Sequence, residues 1–431
     1  LLYLQAAVTV PDLTRLSVRL HRLLSENIIL RLLASEEEIA LRNGTSIVSY
    51  KESEEEFAGR IEPQRYSKGG HLFRVHSRAP VYYNIDRIME TDYDNLYHAV
   101  SAGATVYSQN TLGTAVSMLG YSYHKGLHGG HFKFKYSGWL PVLQVSADIN
   151  GDERYNISIV RDSLGIRSVV EQANGVLAEF EALAYVPLTF NSHGWQRGIT
   201  PQVRWEFSND GYYDSEKKGF VYANTVSPAL QVYVMRDKAY AGIFPRWGIG
   251  GVAKLGFAIN GGENFGSAAS LYMYGYLPGI GATHGIKVSA GVQKQYVEGK
   301  NYYMGNMVSM PRGYKDGIYG EQYYLATFDY AFPLYLGDFS LWHLAYIKRL
   351  QVIPFADYAV NRSPVLVSGA SHSRKMQNTS LYSCGTDLLV DMCPFKLGFE
   401  CSVGVRYSYN GNNGNFPGAG NAFQMLFSVS L

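Results

Sequence analysis

The chain of 431 residues has no run of 18 or more apolar residues, so a transmembrane helix is excluded. Charge is scarce as well. Only 17% of residues are charged, where ordinary globular chains carry about 25%. Lys and Arg number 38 against 36 Asp and Glu, a net charge of +2, so nothing points to a nucleic-acid partner. Cysteine is nearly absent. Cys384, Cys393 and Cys401 are too few for a disulfide framework, and the spacing of Cys393 and Cys401 leaves both a bridge and free thiols open. The chain begins Leu1-Leu2-Tyr3 with no Met, no basic n-region and no cleavage site, and so reads as a mature or truncated product.

Tyr and Gly are abundant instead, at 35 and 45 residues, with 14% aromatics. A mean hydropathy of −0.12 beside so many aromatic rings is odd for a soluble protein and usual for a membrane β-barrel.

From about Ser101 the apolar residues recur with period two, in runs bounded by Gly, Asn and Asp, as in LGTAVSMLGYSYHKG, TPQVRWEFSND, SAASLYMYGYLPG and LGFECSVGVRYSYNG. About fifteen or sixteen such runs follow one another. Many are 9–12 residues long, the length of a tilted membrane-spanning strand. One set of connections is short and proline-bearing (AYVPLTF, YLPGIGATHG, YAFPLYLGD, DMCPFKLG). The other set is long and polar (NDGYYDSEKKG, YVEGKNYYMGNMVSMPRGYKDG, YNGNNGNFPGAGN). Short turns at one end and long loops at the other are the layout of an outer-membrane barrel.

In the last run, AFQMLFSVSL, Phe423, Met425, Phe427, Val429 and Leu431 share one face, and Gln424, Ser428 and Ser430 the other. An apolar face toward lipid and a polar face toward a lumen follow from closure in hydrocarbon. A soluble edge strand would carry charge or proline, and this one has neither. The fold expected is all-β: a transmembrane antiparallel β-barrel of about 16 strands over residues 96–431. Residues 1–95 differ. Leu13–Gly44 is rich in Leu, Arg and Glu, with an amphipathic helical pattern from Ser25, and Lys51–Phe57 is an acidic run. They read as a short non-barrel extension, periplasmic or docking.

One long loop carries Pro311-Arg312-Gly313-Tyr314. If Arg312 folds into the lumen it needs carboxylates there. Asp329, on the face opposite Phe328 and Tyr330, and Asp357, two residues after Phe355, are the candidates on the strands that follow. One guanidinium fork can serve both. Gly313 suits a tight tip.

Arg312-Gly313-Tyr314 resembles the [VI]RG[FY] tip of the inward-folded loop of the BamA superfamily. FDYAFPL, with Asp329 in place of a Glu, and FADYA, with Asp357 as its acid, resemble that family's two acid-bearing strands. Pro311 stands where a β-branched residue is usual, and Ala359 where the motif ends in Gly. AFQMLFSVSL resembles the family's terminal signal strand. The resemblance covers roughly Gly285–Leu431. The segment from RYSKGGHLF to SMLGYSYHKG is similar to barrels that follow TolB-like propellers in some Bacteroidota proteins, and no POTRA-like repeat is visible. The resemblance implies insertion or translocation of polypeptide or lipid at the outer membrane of a Gram-negative cell, without a cofactor. Its implied partners are outer-membrane lipid, unfolded outer-membrane proteins, and periplasmic or lipoprotein subunits. The rival readings are a passive channel or structural barrel and a loop-presenting adhesin or surface-lipoprotein partner.

Other constellations weigh less. His124, His128 and His131 could hold zinc or copper, but no carboxylate or Cys stands near in sequence. The expectation is therefore an exposed hairpin tip without metal. Ser340 and His343 have no third group to support a hydrolase, so no enzyme is expected. Trp139, Trp195, Trp205, Trp247 and Trp342 read as interface girdles rather than as a sugar-binding channel.

Overall fold

A computed structural model describes residues 72–84, 100–162, 165–260, 264–314, 318, 320–366, 374–395, 400–413 and 418–430. Among them no helix is found, and twenty strands are. The first ten are β1 (Val75–Ala79), β2 (Tyr82–Tyr83), β3 (Val100–Gln109), β4 (Ala115–His124), β5 (Leu127–Tyr136), β6 (Val142–Ile149), β7 (Tyr155–Asp162), β8 (Gly165–Gln172), β9 (Ala178–Tyr185) and β10 (Leu188–Thr189). The rest are β11 (Trp195–Asp214), β12 (Gly219–Arg236), β13 (Gly248–Asn260), β14 (Ser267–Pro278), β15 (Gly285–Tyr296), β16 (Gln322–Leu341), β17 (Ala345–Leu366), β18 (Arg374–Pro394), β19 (Glu400–Asn412) and β20 (Gly420–Ser430).

One antiparallel ladder runs from β1 through β3, β4, β5, β6 and β9, then from β11 in unbroken order to β20. These are sixteen wall strands, the number expected. The β7–β8 hairpin, which no run of the sequence announced, leaves the wall between β6 and β9 and touches β11 in parallel at Gly211 and Tyr212.

The ladder begins earlier than residue 96. β1 pairs Ala79 with Thr105, and β2 continues the same line by pairing Tyr82 with Ser101. The two pieces are split at Pro80, which cannot donate to a ladder. There the Thr105 hydroxyl substitutes, donating to Val81 O (3.0 Å) and accepting from Tyr83 N (3.2 Å). Val75–Ala79 and Tyr82–Tyr83, inside the stretch 1–95 expected as an extension, thus pair with β3. The rest of the expected extension, 1–71 and 85–95, lies outside the described residues.

Burial is inside out. Large apolar side chains point outward along successive strands, as Leu119, Ile249, Leu255 and Phe328 do, while Thr105, Gln293, Asn361 and Ser408 are buried. A soluble sheet would bury the first set and expose the second; a wall between hydrocarbon and a polar lumen does the reverse. Four of the five tryptophans, Trp139, Trp195, Trp247 and Trp342, lie in or beside the short turns and mark one girdle at that end.

Two connections differ from expectation. YAFPLYLGD is no turn: β16 runs through it with register shifts after Pro333 and Leu336, and the chain reverses at Trp342–Leu344. NDGYYDSEKKG is mostly ladder, with β11 and β12 meeting at a tip of four residues. At 20 and 18 residues these strands exceed the 9–11 needed to span, so their paired tips project as a ribbon. The three cysteines are free.

Candidate functional site

The lumen is entered from the long-loop end by the segment between β15 and β16. Its descent is fixed by Tyr302, whose hydroxyl donates to Tyr213 O (2.7 Å) and lies 3.2 Å from Ile157 O. Gln295 and Gln293, pointing inward from β15, hold the backbone of Met304 and Met307 at 2.8 and 2.7 Å. At the tip, Tyr314 N bonds Pro311 O (3.3 Å) and Gly313 takes φ +87°, a conformation in which a residue without Cβ is favoured.

Arg312 is the centre of the tip. Its Nε and Nη2 donate to the two oxygens of Asp357 at 2.8 and 2.5 Å, and its backbone N–H donates to the same carboxylate at 2.9 Å. Nη1 lies 2.6 Å from Asp329 Oδ1, an ion pair whose angle falls short of an aligned hydrogen bond. The Asp357 side chain is 1% exposed. Register brings the two acids together: Thr327 faces Asp357 and Asp329 faces Phe355, one lumen step away. The shorter Asp329 thus reaches the guanidinium without a Glu. Tyr314 donates to Gly411 O of β19 (2.6 Å), and a Cβ on Gly313 would meet Ser408 and Asn410. One tip therefore touches β16, β17 and β19.

Three neighbours of this tip were not foreseen. The Phe355 ring lies 3.8 Å under the Arg312 guanidinium and 5.5 Å from that of Arg406. Arg406 makes a two-pronged pair with Asp387 (2.7 and 2.8 Å). Nearer the short-turn end, Arg349 pairs with Asp391, which also accepts from Gln351 and Ser402. The alternation in TDLLVDM puts Asp387 and Asp391 on one face, a signal present in the sequence.

A second element enters from the short-turn end. The turn 237–247 folds inward, where Ile243 and Phe244 pack on Ala331, Ile353 and Leu389. Arg349 Nη1 donates to Gly242 O (2.9 Å) and contacts Tyr240 O (3.4 Å), and Lys348 sits 4.0 Å over the Tyr240 ring. Between this turn and the Arg312 tip lies a chamber of about 680 Å³, bounded on one side by Gln424–Ser428 of β20.

The histidines of the β4–β5 hairpin are not an exposed tip. His128 is exposed, but His124 and His131 are buried. His131 Nδ1 meets Asp148 at 2.5 Å and its Nε2 meets the Ser122 hydroxyl at 2.8 Å, so a carboxylate stands where none was expected. The spacing is that of a Ser-His-Asp relay, yet its burial runs the wrong way. Ser122 is 1% exposed, and Asp148, the member that should be sealed, lines a cavity of about 270 Å³. Tyr82 of β2 stacks on His131 at 4.1 Å. The trio fixes the ring on which the first wall strand rests. Ser340 and His343 lie at the β16–β17 turn.

On β20, Phe423, Met425 and Phe427 are exposed on one face; the side chain of Val429, and Leu431, lie outside the described residues. Among the described residues no ladder joins β20 to β1 or β2.

No family model matches the chain, and no curated protein matches it. Among solved structures it is similar to BamA from Haemophilus ducreyi lacking POTRA domains 1-3, at 14% identity and a TM-score of 0.41, over 77% of this chain and 68% of that one. It is also similar to CdiB from Escherichia coli, at 12% identity and a TM-score of 0.44, over 78% of this chain. The match spans 60% of the CdiB chain.

Proposed function

We propose that this chain is an outer-membrane barrel of the BamA type, which inserts or translocates polypeptide, or lipid, without chemical catalysis. The observation that carries the reading is the placement of Arg312: a loop tip deep in the lumen, its guanidinium shared between Asp357 and Asp329. A passive pore has no need of so costly an arrangement, since burying a charge is offset only by close pairing. Arg312, Gly313, Tyr314, Asp329 and Asp357 act as a latch that holds the loop inside and braces β16, β17 and β19. Phe423, Met425, Phe427, Val429 and Leu431 form the lipid-facing row of the terminal signal strand. The edges of β20 and of the short first strand, which no ladder joins among the described residues, offer backbone groups to an incoming strand. Partners on this reading are outer-membrane lipid, unfolded outer-membrane proteins, and periplasmic or lipoprotein subunits.

The test is an Arg312→Ala, Asp329→Asn and Asp357→Asn series, scored by outer-membrane assembly and by heat-modifiable migration of the folded barrel. Arg312→Ala and Asp357→Asn should fail alike, with no further loss in the double variant. Wild-type behaviour of all three would leave an ordinary loop and a passive barrel. Single-channel recording separates the two independently. A latched barrel is largely closed and flickers, whereas a porin passes steady current.

A further inference from the structure

The outward face of β15, β16 and β17 carries a cationic row at the long-loop end. Gln293 and Gln295 point inward to the loop, so Lys294 between them points outward, its ammonium 4.8 Å over the Tyr296 ring. Tyr323 turns inward to Ser309 O, so Gln322 and Tyr324 face outward. Register sets Lys294 opposite Gln322 and Gln322 opposite Arg362, one line across three strands. Gln322 Oε1 accepts from Arg362 Nη1 (3.1 Å) and from the Tyr324 hydroxyl (3.3 Å), which leaves the Gln322 amide N–H groups to donate. Arg362 Nε is buried without a hydrogen-bond partner. Among the described residues neither cation makes an ion pair. The lumen acids do not balance them: Asp329, Asp357, Asp387 and Asp391 lie on the other face, engaged by Arg312, Arg406 and Arg349. The outward positions of β14–β18 in the long-loop half hold no Asp or Glu, and Glu298 and Glu321, beyond the strand ends, pair with neither cation.

We propose that Lys294, Gln322 and Arg362 form a rim site for the anionic phosphate head group of a membrane lipid, whose chains lie along the outward apolar residues below it. The next outward row in register is Val292, Tyr324 and Val360, so the apolar wall begins directly under the cations. Nine residues separate Lys294 from Gly285 at the short-turn end of β15. At about 3.4 Å per residue and a tilt of about 40° that is about 23 Å, close to the apolar band of about 25 Å. The row therefore stands where hydrocarbon gives way to head groups. Lys294 and Arg362 are two strand spacings apart, about 9.6 Å. Each side chain is long enough to reach the midpoint, so one phosphate can meet both, the guanidinium as a fork. Two cations beside hydrocarbon are costly without a counter-charge, and a head-group phosphate supplies it at that depth. The proposal rests on the bilayer setting given above, and not on the translocation role or the Arg312 latch.

The experiment uses the full chain in phosphatidylcholine nanodiscs doped with a phosphatidic acid that bears a diazirine near the head-group end of one chain. Crosslinks made by light are mapped by peptide mass spectrometry. A phosphatidylcholine with the same diazirine gives the background, expected on outward residues all along the wall, Phe423 and Met425 included. Phosphatidic acid should be enriched over that background on residues 290–296 and 358–362. Unlabelled phosphatidic acid should compete; inorganic phosphate should not. Lys294→Gln and Arg362→Gln should each cut the enrichment about tenfold, as loss of one charge-assisted contact implies, and together return it to background. Lys294→Arg should keep it, and Lys218→Gln, at the β11–β12 tip, should leave it unchanged. The site is overturned if phosphatidic acid labels these residues no more than phosphatidylcholine does, if phosphate competes as well as the lipid, or if the charge variants label like the wild type. Background label missing from every outward row would overturn the bilayer wall itself, and the site with it. Heat-modifiable migration of the same samples reports folding, so a misfolded variant is not mistaken for a failed site.

Discussion

The guanidinium carbon of Arg312 sits over the ring of Phe355, 3.8 Å from the ring centroid, while Asp357, two residues on along the same strand, accepts from two nitrogens of the same group. One strand thus supplies both a π-face and a fork acceptor. Arg is suited to this and Lys is not, because an ammonium cannot be planar and bidentate at once.

Arg312→Ala should therefore cost about 3 kcal/mol, because it leaves the Asp357 carboxylate buried without a partner. Arg312→Lys should recover only part of that. Adding Asp357→Asn to Arg312→Ala should restore stability relative to Arg312→Ala alone, read as the denaturant midpoint of the folded band. An additive double variant would show that the pair is not coupled.

Gly313→Ala should cost roughly 1–2 kcal/mol. An L-residue pays that much to adopt φ +87°, and its Cβ would also displace Ser408 and Asn410 of β19. Protease access at the loop tip should rise with no change in strand content by circular dichroism.

Removing the hold on the inner turn should open the lumen from the short-turn side. Arg349→Ala loses the contacts to Gly242 O and Tyr240 O and leaves Asp391 without its cation, held only by Gln351 and Ser402. Longer open events are expected in single-channel records, and Arg312→Ala combined with it should give the largest steady current. Unchanged records would mean that the apolar packing of Ile243 holds the turn by itself.

At the outer tip of the β11–β12 ribbon, beyond the span, Asp214 accepts from Asn264 (2.8 Å) and from the backbone N–H groups of Glu216 and Lys217. The Asn264 bond, with those N–H groups, holds its carboxyl below the ordinary value of 3.8. A depressed folded value means that the stabilisation is fully present above the unfolded carboxylate range and is lost as pH falls through the folded one. Proteolysis of the ribbon tip should accelerate only below about pH 4, and Asp214→Asn should remove the dependence.

His131→Ala should loosen the first wall strand, since Tyr82 loses the ring it stacks on. Hydrogen exchange should rise at Val75–Tyr83 and stay unchanged in β16–β18. A fluorophosphonate serine probe should leave Ser122 unlabelled, because its hydroxyl is sealed; labelling would revive an enzymatic reading.

Period-two alternation by itself determined the wall and its two faces. Successive Cβ atoms on a strand point opposite ways, so Asp329 and Asp357 had to face away from Phe328 and Tyr358 wherever the strands lay. The contrast of short and long connections determined the end from which the Arg312 loop enters. What alternation does not contain is register, the reach of irregular segments, or which polar residues meet. The first strand is not legible in the sequence, because five residues, a break at Pro80 and two more hold no measurable period. The setting of the histidines is not legible in the sequence, because Asp148 stands 17 residues beyond His131 and becomes its neighbour only when β6 pairs with β5. The inward turn at Ile243, the Arg406–Asp387 and Arg349–Asp391 pairs and the chamber among them were decided by tertiary structure alone. A charge buried in a lumen is stable only where another strand brings its partner within hydrogen-bond reach, and that distance is a property of the paired sheet.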